Sequence, residues 1–180
     1  MSIEPVYTRF PKVPIERRAA AFGIDFVAVW LLSSLVRVNT PGFQLLQMLV
    51  FLLLWLGMRV VLVSSNQGQS LGRWALDMKV LDAKYSKIPG LLMLAKREGI
   101  LGFCALLAMI GLSIGMANGM SLLLLTAPLA ADCGVAMADN DAQQAFHDRI
   151  AKTIVIQSRR GFSLDIRLKK LFAQVRRRMK

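Results

Sequence analysis

Four stretches of this chain, residues 19–36, 43–63, 99–116 and 121–137, are apolar over about the length that a helix needs to cross a bilayer. Roughly 20 residues rising about 1.5 Å each span a ~30 Å hydrocarbon core. Lipid offers no partner to open backbone groups, so such stretches fold as helices. The predicted fold class is therefore an all-α membrane protein, a small bundle of about four transmembrane helices. "RVNTPG" between the first two runs and "ANG" between the last two are short turns, which makes both pairs antiparallel. Residues 64–98 form a polar insert, with the look of a small hairpin or lid around "WALDMKVLDAKYSKIPG".

Charge sets the orientation. Lys and Arg number 23 against 11 Asp and Glu, in a chain that is 55% hydrophobic. Four of the basic residues precede the first run, six lie in the insert and eleven follow the last run, while the two short connectors hold only Arg37. With four spans all the basic regions share one side, which the positive-inside rule makes cytoplasmic. The expected location is the cell (inner) membrane, multi-pass, with both termini inside. The eighteen polar residues before the first run do not resemble a cleaved secretory signal, so that run is expected to be retained. Residues 1–14 read as a cytoplasmic tail, 15–156 as the membrane domain and 157–180 as a basic amphipathic tail.

In that tail Leu164, Leu168, Leu171, Phe172, Val175 and Met179 recur at helical spacing, a stripe about 100° wide. Arg167, Lys169, Lys170, Arg176, Arg177 and Arg178 lie mostly off it. Such a helix suits the anionic lipid headgroups of the inner leaflet, at about 1 kcal/mol per basic residue near the surface. No nucleic-acid partner is expected.

"AFGIDFVAVWLLSS" places a carboxylate, Asp25, inside the first run. Helical rise puts Asp25 roughly 9 Å from the inner boundary, Arg59 of the second run roughly 6 Å and Asp132 of the fourth roughly 7–8 Å. Ionisable groups at such depth pair with one another or line a path. Asp25, Arg59 and Asp132 are thus read as one cluster, either a site for an ion or solute or a polar tie between helices. Arg18 shares a face with Asp25 but lies about 10 Å away along the axis, and helical side chains lean toward the N-terminus, so no direct contact is expected.

"RRAAAFGID" (17–25) resembles the opening motif of the RDD family of membrane proteins, named for an arginine and two aspartates; Arg18 and Asp25 stand at the first two positions. "GQSLGRWALDMKVLD" (68–82) is similar to the family's loop motif, with Gly68, Ser70, Gly72 and Arg73 in its places. "KRE" (96–98) resembles the Arg-Glu that opens the next helix. "FHDRIAKTIVI" (146–156) resembles the closing His-Asp and strand, with Lys152 where glycine is usual. Asp148 then stands as the second aspartate, Asp132 being the other candidate. The resemblance implies Arg18, Asp25 and Asp148 as a functional set and a link to transport of an unspecified ligand, some relatives being similar to sodium/proton antiporters. It implies no cofactor and no reaction.

Little else carries chemistry. Cys104 and Cys133 lie in apolar runs without metal or disulfide spacing and read as small buried hydrophobes. His147 is the sole histidine, so no metal site is expected. It reads as a loop residue that orders the chain, or else as a proton relay beside Asp148. The glycines of the insert lack the Walker pattern, and no nucleophile–base pair is present, so no cofactor and no enzymatic activity are expected. Two functions follow. One is transport of a proton, sodium ion or small solute around Asp25, by a homo-oligomer because four helices enclose little space. The other is a non-catalytic scaffold or assembly factor bound to a larger membrane protein complex.

Overall fold

The computed structural model describes residues 13–37, 44–114, 119–139 and 143–158, together with Ser163 and Gln174. Four long helices make the bundle: α1 (Ile15–Ser34), α2 (Leu45–Ser65), α4 (Leu91–Ile114) and α5 (Gly119–Ala138). The insert holds a short helix α3 (Leu71–Ala75) and a strand β1 (Met78–Asp82); after the bundle come α6 (Phe146–Ile150) and β2 (Thr153–Gln157). The basic residues of the tail, Arg167 to Arg178, lie outside the described residues.

Helices α2, α4 and α5 are long and apolar enough to cross a membrane. Helix α1 matches them in length but carries Glu16, Arg17, Arg18 and Asp25. Its buried positions, Ala21, Asp25, Phe26, Val29 and Ser33, fall on one stripe that faces α2 and α3. Chain order around the bundle is α1, α2, α4, α5, each packed on the next. Phe26, Phe51, Trp55, Leu101, Ala105 and Met109 fill the centre. There Phe51 and Trp55 stack with centroids 5.8 Å apart. Gly102 lets α4 close on the Trp55 indole, because a Cβ there would stand 2.6 Å from the ring. Between apolar helices in lipid such close fit, rather than expulsion of water, supplies the attraction.

Two departures from the sequence reading have clear causes. Helix α4 starts at Leu91 instead of near residue 99, because Arg97 and Glu98, although charged, turn into the bundle and are buried. The insert does not close on itself as a hairpin. β1 pairs antiparallel with β2, from Met78 opposite Gln157 to Asp82 opposite Thr153. Its partner lies beyond α5 in the chain, where a local pattern cannot point. Gly68, at φ +83°, lets the loop before α3 lie on β1, since a Cβ would meet the Val80 carbonyl oxygen at 2.5 Å.

Candidate functional site

Asp25 is fully buried and accepts from three donors. Arg59 Nη1 and Ser70 Oγ each donate to its Oδ2 at 2.6 Å, and the Gly72 N–H donates to Oδ1 at 2.7 Å. Ser70 is the N-cap of α3, so the carboxylate sits at that helix's open N–H groups. This approach requires glycine at 72: a Cβ would stand 2.0 Å from the Ala21 carbonyl oxygen of α1. The "GQSLGR" stretch of the insert is therefore folded around the charge of the first helix.

Arg59 lies in a π-helical turn of α2, Gly57–Val61. The extra residue in that turn brings both Arg59 and Val60 inward. The guanidinium lies over Trp55, 4.8 Å from its ring centroid, and Nε donates to Glu98 Oε2 at 2.7 Å. Glu98 also accepts from Arg73 Nη2 at 2.8 Å and Arg97 Nη1 at 2.6 Å. Three arginines thus converge on one buried carboxylate.

From Glu98 the network continues through Arg97, whose Nε donates to Asp148 Oδ1 at 2.7 Å. Asp148 is fully buried and also accepts from Arg18 Nη2 and, at 3.4 Å, from Thr153 Oγ1. Burial opposes ionisation of Asp148, but Arg97, then His147 and Arg18, outweigh it and hold the carboxyl well below the usual range. Burial, then Arg59 and Arg97, push Arg73 down to about 9. An arginine keeps its proton in proteins, so this downward pressure is a cost carried by the charged form.

Arg18, Arg59, Arg73 and Arg97 stand against Asp25, Glu98, Asp132 and Asp148, four charges of each sign, all largely buried. Removing one partner from such a buried set typically costs about 3–5 kcal/mol.

The structure joins Asp25 to Arg59 and Arg18 to Asp148, and it leaves Arg18 apart from Asp25. The expected place of Asp132 beside Arg59 is corrected. Asp132 accepts the His147 backbone N–H at 2.9 Å, and His147 Nδ1 lies 2.5 Å from its Oδ2. The cause is angular: α5 packs on α4 and α6, so equal depth does not bring it to α2. His147 is more than a loop residue. Its buried ring links Asp132 to the network, with Nε2 3.3 Å from Arg97 Nη2. Sequence reasoning did not place Glu98, Arg73 and Arg97 in the site, although the loop and "KRE" motifs contain them. Among the described residues no His, Cys, Asp and Glu group is arranged to hold a metal, and Cys104 and Cys133 are free. Cys104 is buried, whereas Cys133 is exposed, not buried as expected.

Beside the network lies a cavity of about 410 Å³ between α1 and α5, with the sheet at one end. Arg18, Arg59, Arg73, Arg97 and His147 reach its wall, and among the described residues no Asp or Glu does. The rest of the lining is mainly apolar.

A model of the RDD family matches residues 12–152, which contain every charged member of this network. The chain belongs to the RDD family. With its three apolar helices it is a membrane protein. No match was found among curated proteins or among solved structures.

Proposed function

We propose that this RDD protein binds and moves a small solute through the cavity between α1 and α5. In this reading it is a non-enzymatic protein of the inner membrane, and α1 is its fourth span. Both termini and the insert lie on the cytoplasmic side, as the positive-inside rule favours. The basic tail docks on anionic headgroups through Arg167, Lys169, Lys170 and Arg176–Arg178. The observation that carries the reading is the division of charge at the cavity wall. Arg18, Arg59, Arg73 and Arg97 line the cavity, though Arg59, Arg73 and Arg97 are almost wholly buried, while the carboxylates that pair with them do not reach it. Pockets of about 300–1,000 Å³ with a few convergent polar groups are the usual form of a small-ligand site.

Asp25 enters this reading as a fixed anion. Three of its roughly four acceptor sites are already held by donors, which leaves a sodium ion a single lone pair on Oδ1 unless Arg59, Ser70 or the Gly72 N–H is displaced. The outward face of α5, of whose apolar window only 11% is buried, is left for lipid or a second copy of the chain.

The test is charge movement on a solid-supported membrane carrying reconstituted protein, after jumps of sodium, pH or mixed organic solutes. A solute-evoked current that Ala130→Trp abolishes by filling the cavity is the expected result. A sodium- or pH-evoked current that Asp25→Asn abolishes and Ala130→Trp leaves intact would return the site to Asp25. Silence to every jump, together with co-purification of a larger complex, would overturn transport in favour of a scaffold.

A further inference from the structure

We propose that the cavity takes an anionic amphiphile, a carboxylate or phosphate head on an unbranched apolar tail, which enters from the bilayer between α1 and α5. This rests on the reading of the cavity as the solute site and names the class of its ligand.

The head is placed by an unused donor. Arg73 is 4% exposed and reaches the cavity wall, and its Nη1 is buried without a hydrogen-bond partner. The other three arginines spend both terminal nitrogens inside the protein. Arg59 gives Nη1 to Asp25 and Nη2 to Glu98, Arg97 gives Nη1 to Glu98 and Nη2 to the His147 ring, and Arg18 gives its pair to Gln143 O and Asp148. A buried donor left without an acceptor costs about 1–3 kcal/mol, more for a charged group. An oxyanion at Arg73 removes that cost and also meets Arg18 and Arg97 on the same wall. A cation there would face four guanidinium groups.

The tail is placed by the remainder of the wall. Phe22, Leu101, Leu129 and Ala130 offer no polar side chain. Lining residues on α5 run from Met137 to Thr126, roughly 17 Å along the helix. The arginines reach the cavity from the end of the bundle where α3 and the sheet sit, so head and tail lie along the helices as in one bilayer leaflet. The route is the seam between the first and last helices. Each packs on its chain neighbour, and among the described residues α1 and α5 scarcely touch. A free inorganic anion would satisfy Arg73 but leave the apolar length unfilled.

The experiment is equilibrium binding to the full chain by native mass spectrometry, in a bulky steroid-based detergent with no linear tail. The probes are dodecyl phosphate, dodecanoate, phosphatidic acid, dodecanol and inorganic phosphate. One-to-one binding of the anionic amphiphiles is expected, with dodecanol and inorganic phosphate at least about tenfold weaker. Preference for phosphatidic acid identifies a bilayer lipid as the source, and preference for the single-chain anions a free amphiphile; either supports the proposal. Arg73→Gln weakens dodecyl phosphate by about tenfold or more. Ala130→Trp, which replaces no member of the charge network, abolishes binding while the protein keeps its elution volume and helicity.

Dodecanol binding as well as dodecyl phosphate overturns the anionic head, and equal binding of inorganic phosphate overturns the tail. Binding that neither variant changes overturns the location. Because no flux is measured, an amphiphile that binds but evokes no current refutes transport alone. A soluble solute whose current Ala130→Trp removes, without amphiphile binding, refutes this inference alone.

Discussion

Asp25 and Asp132 are both buried aspartates within long helices, and their surroundings differ as inner and outer helix positions differ. Asp25, on the face of α1 that meets α2 and α3, draws an arginine, a hydroxyl and a backbone N–H from two other elements. Among the described residues Asp132, on the sparsely covered α5, draws only from His147, the second residue of α6. A buried carboxylate is held by whatever donors the packing delivers, and an edge helix is delivered fewer. The comparison therefore predicts unequal consequences when charge is removed at the two ends of the network.

The largest effect is expected at Glu98, where Arg59, Arg73 and Arg97 converge. Glu98→Gln leaves those guanidinium groups facing one another and should cost at least about 3–5 kcal/mol, enough to abolish accumulation of folded protein. Asp25→Asn should cost about 3–5 kcal/mol and Asp132→Asn only about 1–3, read by unfolding in mixed micelles. Equal losses would remove the distinction between the two positions.

Asp148 sharpens the comparison through pH. Its carboxyl is held below the ordinary value of 3.8, chiefly by Arg97 once the cost of burial is overcome. The unfolded chain therefore binds its proton first as pH falls. The stabilisation is fully present above pH ~4 and fades below it as pH falls through the folded value. The stability gap between wild type and Asp148→Asn should stay constant from about pH 7 to 5 and narrow below about 4. A gap that narrows near neutrality would place the network's titration elsewhere.

The smallest effect concerns the turn into β2. Lys152 has φ +51°, a left-handed conformation that costs a side-chain-bearing residue roughly 1–2 kcal/mol and glycine almost nothing. Lys152→Gly should raise the unfolding free energy by up to about 1 kcal/mol after the added freedom of the unfolded chain is set against it, read as a higher unfolding midpoint. The same φ explains why glycine is usual at this place in the RDD motif.

What could be read from the sequence follows from which interactions are local. The apolar runs are legible by length, and α2, α4 and α5 are long and apolar enough to cross a membrane. Depth arithmetic brings Asp25 and Arg59 together because they lie on consecutive antiparallel helices that pack on each other. It fails for Asp132 because rise along an axis carries no information about the direction a helix faces. Arg97 and Glu98 border a polar insert, so composition assigns them to solvent, although they are buried at 2% and 0% exposure. The pairing of β1 with β2 spans three helices and leaves no local trace. Arg73 stood in a recognised motif, yet its free Nη1 is a property of three-dimensional bookkeeping alone.

The central claim is that Asp25 is a fixed anion tied to Arg59, leaving the cavity rather than the aspartate to meet a ligand. A double-mutant cycle with Asp25→Asn and Arg59→Gln, followed by unfolding in mixed micelles, measures that tie most directly. The account predicts a coupling of about 2–3 kcal/mol, near the upper end for residues in contact. A coupling within about 0.5 kcal/mol of zero, the behaviour of independent sites, would contradict it.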